Sequence, residues 1–255
     1  MNNDEKNARK GIYLLPNLLT TSALFAGFYS IVAAINGHFE AASVSVFIAM
    51  VLDGLDGRVA RLTNTQTEFG AEYDSLSDLV SFGLAPALLT YQWALVHMRD
   101  MGVIWGKLGW LAAFLYVACA ALRLARFNTQ IAEVDKRWFV GLPSPAAAAV
   151  VVGLVWVFHD LSVLGINMIF PAFILIVFSA LLMVSNIRYY SFKDFDLSHK
   201  VPFLAIFMIV LVLMLTSIDP PKVLFAVAFI YALSGPIWRI IHIRKIRLKK
   251  RKESK

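Results

Sequence analysis

Four carboxylates, Asp53, Asp56, Asp74 and Asp78, stand within the run DGLDGRVARLTNTQTEFGAEYDSLSD, with long apolar segments on either side. A carboxylate deep in a bilayer costs about 2.5 to 3.5 kcal/mol on insertion scales, so four uncompensated ones cost on the order of 10 kcal/mol. A divalent cation is the natural compensation. Oxygen-only ligands suit Mg²⁺, Mn²⁺ or Ca²⁺ rather than zinc or copper. Drawn as a helix, Asp56, Gly57, Ala60 and Arg61 all fall within about 80° of Asp53. On the next segment Asp74 and Asp78 are four apart and share a face. The connector TNTQTEFG is short and polar. The two helices are therefore expected to pair antiparallel and bring the four acids together at one end. Such a set suffices for two ions, which lie about 3.5 to 4 Å apart in two-metal sites. Gly57, Ala60 and Gly70 beside the acids either serve close helix packing or let a ligand approach the backbone. Arg61 offers a guanidinium fork suited to phosphate. Together these groups suggest a metal-bound diphosphate. An ion-transport site with structural glycines is the alternative.

The elements that must position these residues are apolar helices. Of the 255 residues, 59% are hydrophobic and 16% charged, against about 25% charged in a typical soluble domain. The apolar residues gather into eight segments, about 14–35, 40–60, 71–97, 107–126, 143–159, 164–187, 201–218 and 221–241, each near the roughly 20 residues that cross a bilayer. The first is too long for a cleaved signal and reads as a retained span. The short tails and loops on one face hold 21 of the 24 Lys and Arg, leaving Arg99, Lys107 and Lys222 on the other. Positive residues favour the cytoplasm. The expected fold is thus all-α, a polytopic membrane bundle of about eight transmembrane helices with both termini cytoplasmic. Residues 1–242 read as one membrane domain and 243–255 as a basic cytoplasmic tail, a topology anchor also suited to anionic lipid headgroups. The net charge of +7 is accordingly assigned to a membrane surface and not to nucleic acid. The single Cys119 excludes a disulfide framework within one chain.

The pattern Asp53-x2-Asp56-Gly57-x2-Ala60-Arg61-x8-Gly70-x3-Asp74-x3-Asp78 resembles, at all eight fixed positions, the motif of the CDP-alcohol phosphatidyltransferases. These are integral membrane enzymes that transfer a phosphatidyl or similar group from a CDP-linked donor to an alcohol and release CMP. The resemblance implies that Asp53, Asp56 and Asp74 are metal ligands. It implies Asp78 as the general base and as a candidate ligand of a second metal. It also implies that Gly57, Ala60, Arg61 and Gly70 line the CDP pocket, that the metals are two Mg²⁺ or Mn²⁺ ions, and that the enzyme is a homodimer.

Five flanking segments, LLPNLLTTSALFAGF, SFGLAPA, ALRLARFN, FVGLPSPAAA and MVSNIRYYSFK, are similar to the integral-membrane branch of that family that makes phosphatidylserine. This implies CDP-diacylglycerol as donor and L-serine as acceptor, in the cytoplasmic (inner) membrane with the active site facing the cytoplasm. Glycerol 3-phosphate and inositol remain alternative acceptors. From other classes, an Asp-rich prenyltransferase and a cation transporter remain alternatives. Serine brings a carboxylate, so its site needs a cation. Arg123 and Arg126, three apart near the end of the fourth segment, are the candidates. Each is alternatively a donor-phosphate contact or an interfacial residue with its head in water. Asn17 is a candidate ligand contact or a helix-start residue. Asn128 is a weaker polar candidate, and Arg188 and Lys193 are interfacial or phosphate contacts. His159 and Asp160 fall at the opposite face and receive no chemistry.

Overall fold

A computed structural model describes residues 3–63, 65, 67–130, 138–190 and 203–253. Nine α-helices occur among them: α1 (Asn3–Ile35), α2 (Phe39–Leu62), α3 (Glu68–Asp78), α4 (Ala85–Trp93), α5 (Val103–Gln130), α6 (Ser144–Asp160), α7 (Ile169–Val184), α8 (Phe203–Ile218) and α9 (Pro220–Glu253). The all-α expectation holds. Each of the eight apolar segments coincides with a helix, the third being α3 and α4 joined by a wide, π-helical stretch, Leu79–Leu84.

Four stretches are long and apolar enough to cross a membrane: Leu15–Ile35, Val103–Thr129, Gly165–Val184 and Pro220–Ile241. A fifth exists if Glu68–Trp93 and Leu95–Met101, bent by 43° at their junction, form one span. The other segments fall short for physical reasons. The acids and arginines at the end of α2 lower its hydropathy, while α6 has 17 residues and α8 has 16. The expected break between the last two segments lies at Asp219, with Pro220 opening α9 where a missing N–H costs nothing. The basic run from Arg244 continues α9 as helix to Glu253.

The core is built from small and β-branched side chains. Ala42, Val46 and Ala49 of α2 are fully buried, as are Ala147, Ala148 and Val152 of α6, against which α2 packs. Small residues let helix backbones approach closely where lipid supplies no hydrophobic drive between helices. One such close approach is between α1 and the π-helical stretch. A Cβ on Gly27 would lie 2.7 Å from Ser81 Cα, and the Ser81 hydroxyl donates to the Ala23 carbonyl at 3.1 Å.

One element was not expected. Trp138–Val140 (β1) pairs antiparallel with Arg188–Tyr190 (β2), with Phe139 opposite Tyr189. Two of the five flanking segments noted above therefore meet as a ribbon. Gly141, at φ +82°, follows β1, and a Cβ there would lie 2.2 Å from the Met183 carbonyl oxygen. Only glycine fits such a position. The buried Tyr189 ties the ribbon to α9, donating to the Ala232 carbonyl at 3.0 Å.

Candidate active site

Polar contacts at the start of α3 and between α3 and the middle of α1 determine where the acids stand. Thr67, in extended conformation, caps α3 by accepting from the Gly70 backbone N–H at 3.0 Å. This fixes the start of the helix that carries Asp74 and Asp78. From α1, the Thr21 hydroxyl bonds Tyr73 at 2.9 Å, and the Ser77 hydroxyl donates to the Thr20 carbonyl at 3.2 Å. Asn17 lies close by, its Oδ1 3.6 Å from the point a Gly70 Cβ would occupy. The expected pairing of two helices is thus a three-helix arrangement, with α1 as the frame.

The carboxylate oxygens of Asp53, Asp56 and Asp74 lie within 4.8 Å of one another. At an effective dielectric near 20, each such pair repels by about 3 to 4 kcal/mol. Two features show what this arrangement is suited to hold. Asp56 is nearly buried and accepts the Thr20 hydroxyl at 2.6 Å, a short bond to a charged acceptor that fixes its orientation. Asp74 Oδ1 is buried and has no hydrogen-bond partner among the described residues. An orphaned carboxylate oxygen beside two more carboxylates fits a hard divalent cation, which takes oxygen ligands. Asp78 stands outside this triplet, beside Asp53 and Asp74. Its other neighbour is the Arg123 guanidinium of α5.

The glycines separate into two kinds. A Cβ on Gly57 would meet nothing within 4 Å among the described residues, so no described neighbouring helix requires glycine there. The space it leaves opens beside Asp53 and Asp56. Gly70, by contrast, is crowded by its own cap, with Thr67 Oγ1 at 3.1 Å. Ala60 is partly exposed, and Arg61, one turn after Gly57, is exposed.

The two candidate arginines part company. Arg123 is 8% exposed, its Nη1 donates to the buried Ser144 hydroxyl at 3.2 Å, and its Nε has no partner among the described residues. It is therefore not an interfacial residue with its head in water. Arg126 donates instead to the Asn186 side chain at 2.9 Å, at the base of the ribbon. Asn128 is engaged with Ser75 of α3 at 3.0 Å. Arg188 is exposed on β2, and Lys193 lies outside the described residues. His159 is at the far end of α6, in edge contact with Phe39.

Sequence reasoning missed the roles of Thr20, Ser77 and Ser144. The signal for Thr20 was present: Asn17, Thr20 and Thr21 recur at helical spacing in an otherwise apolar segment, and so face one neighbour.

Comparison with known proteins agrees with this geometry. A family model for CDP-alcohol phosphatidyltransferases matches residues 13–184. A CDP-diacylglycerol–serine O-phosphatidyltransferase of Helicobacter pylori strain J99 is 40% identical over 246 residues, covering 95% of this chain and 98% of the relative. An enzyme of the same name from Methanocaldococcus jannaschii is 36% identical over 192 residues, 75% of this chain and 81% of the relative. An archaetidylserine synthase of Methanothermobacter thermautotrophicus is 37% identical over 193 residues, 74% of each chain. The chain belongs to the CDP-alcohol phosphatidyltransferase family.

Proposed function

We propose that this protein is a CDP-diacylglycerol–serine O-phosphatidyltransferase, which converts CDP-diacylglycerol and L-serine to phosphatidylserine and CMP. The observation that carries the chemistry is the convergence of Asp53, Asp56 and Asp74 within 4.8 Å around an orphaned, buried Asp74 oxygen. The choice of acceptor is supported by the relatives' activity, named as serine O-phosphatidyltransferase. In this reading Asp53, Asp56 and Asp74 hold two Mg²⁺ or Mn²⁺ ions, with Asp78 as an added ligand of the second. Such ions, when bound, would supply positive charge for the donor's diphosphate and for the leaving phosphate.

The chain's own residues do the rest. Gly57 leaves room for the donor's diphosphate beside the acids, Ala60 and Gly70 line the same pocket, and Arg61 and Asn17 reach it from either side. Asp78 accepts the proton of the serine hydroxyl. The serine oxygen forms the new bond to phosphorus as the bond from phosphorus to the CMP oxygen breaks. Arg123, near Asp78, faces the acceptor, while Arg126 is held away by Asn186. Eight spans, both termini and the site on the cytoplasmic side of the inner membrane, and a homodimer complete the proposal. The Lys and Arg asymmetry supports the orientation.

The test is CMP release by the purified chain in lipid vesicles, with each acceptor offered in turn. Serine-dependent CMP release that stops on chelation and returns with Mg²⁺ or Mn²⁺ is expected. Strong turnover with inositol or glycerol 3-phosphate and none with serine overturns the acceptor. Divalent-cation uptake without CMP production overturns the enzyme reading in favour of a transporter.

A further inference from the structure

Among the described residues, the one cation acting on Asp78 is Arg123, and its surroundings define what it could accept. Arg123 is more than nine-tenths buried, yet one of its N–H donors, Nε, is unpaired among the described residues. A buried guanidinium donor left unmade costs more than a neutral one, and such groups are normally satisfied. The other side of the guanidinium is fixed, because Nη1 donates to Ser144, itself 1% exposed. Ser144 opens α6 directly after Gly141-Leu142-Pro143, where the ribbon glycine clamps the backbone against α7. The guanidinium is thus held at one end by the buried Ser144 hydroxyl, and Asp78 is among its charged neighbours. Arg126 lacks both properties, being less buried and turned to Asn186.

We infer that Arg123 selects acceptors carrying a carboxylate next to the alcohol, and that Ser144 is the positioning residue that aims it. The inference rests on the proposed reading of Asp78 as the base. The carboxylate and hydroxyl of an amino-acid alcohol are close together. An anchor adjacent to the base therefore delivers the hydroxyl to it, whereas an anchor at Arg126 does not. A neutral polyol gains nothing from a buried cation and must instead strip water from it. The competing account makes Arg123 a counter-charge for the acid cluster, with no preference among acceptors.

Acceptor pairs that differ only in charge separate the two accounts. The full-length protein in vesicles is assayed with L-serine, and with L-serinamide, which keeps the alcohol and lacks the carboxylate. Arg123→Gln is expected to raise the serine KM on the order of 100-fold, with the serinamide and CDP-diacylglycerol KM values changed by less than about threefold. Ser144→Ala keeps the charge and should raise the serine KM by about 3- to 10-fold, with Ser144→Thr restoring it. This second variant stands in should Arg123→Gln fail to fold. Equal losses for serine and serinamide overturn the inference, as does the expected Arg123 phenotype appearing in Arg126→Gln instead. Absence of any transfer by the wild-type chain overturns the underlying reading of the site.

Discussion

Replacing Thr20 by valine tests whether α1 belongs to the metal site although it lies outside the aspartate motif. The shape is retained and one hydroxyl is lost. That hydroxyl donates to Asp56 Oδ2 at 2.6 Å in a nearly buried position. A hydrogen bond to a charged group contributes about 1.5 to 3 kcal/mol, which is about 10- to 150-fold in an equilibrium constant. Partners that orient metal ligands commonly account for about 10- to 100-fold in affinity or activity when removed. The expected effect of Thr20→Val is thus a 10- to 100-fold rise in the Mg²⁺ or Mn²⁺ concentration that half-activates CMP release. Activity at saturating metal should largely recover, because no ligand has been deleted. Thr20→Ser, which keeps the donor, should stay within about threefold of wild type on the same reasoning. An unchanged metal activation curve for Thr20→Val would refute the assignment of Asp56 as an oriented ligand. A fall in maximal rate with no shift in the curve would place Thr20 in helix packing instead.

Other predictions follow from the same geometry. Asp78→Asn should abolish turnover while leaving CDP-donor binding in place, measured by equilibrium binding of the donor; a near-normal rate would remove Asp78 as the base. At Gly57 an added Cβ meets no described neighbour within 4 Å, and Gly57→Leu replaces glycine by a helix former worth up to about 1 kcal/mol. Its thermal stability in detergent should hold or rise while the donor KM rises tenfold or more; an unchanged KM would mean that the donor does not use that space. Gly27→Ala places a Cβ 2.7 Å from Ser81 Cα, an overpacking cost of about 1 to 3 kcal/mol, and should lower Tm; a retained Tm would argue against a tight α1 seam.

The aspartate cluster was legible because its information is local. Asp53 with Asp56, and Asp74 with Asp78, share helix faces by spacing alone, and a short connector leaves the two helices few ways to pair. The apolar segments were legible for a similar reason, since each coincides with a helix. What escaped depends on contacts between distant segments. Arg123 and Arg126 are equivalent on a helical wheel, and only Ser144 and Asn186, arriving from other elements, set them apart. The ribbon is too short to show alternation over its three-residue strands. Its one local sign was Gly141, whose need for a positive φ does not appear in sequence. The small residues beside the acids were ambiguous between packing and access. The open space at Gly57 and the crowding of Gly70 by its own cap assign each meaning to a different glycine.

Charge balance in the site leads to a last prediction. Among the described residues, Asp53, Asp56, Asp74 and Asp78 are set against one buried cation, Arg123, a formal excess of three negative charges, with Arg61 exposed at the rim. One divalent ion reduces the excess to one negative charge, and a second turns it into one positive charge. A buried region disfavours net charge of either sign. The donor's diphosphate adds two negative charges, so with donor present the two-ion state carries one net charge and the one-ion state carries three. The donor should therefore favour uptake of the second ion, and by linkage the second ion should favour the donor by the same factor. The measurement is the metal half-activation concentration at several CDP-diacylglycerol contents in the vesicle. It should fall as the donor fraction rises, and the donor KM should fall in parallel as metal rises. If the two constants are independent of each other, the ions and the diphosphate do not share this cluster, and the two-ion reading of Asp53, Asp56, Asp74 and Asp78 fails.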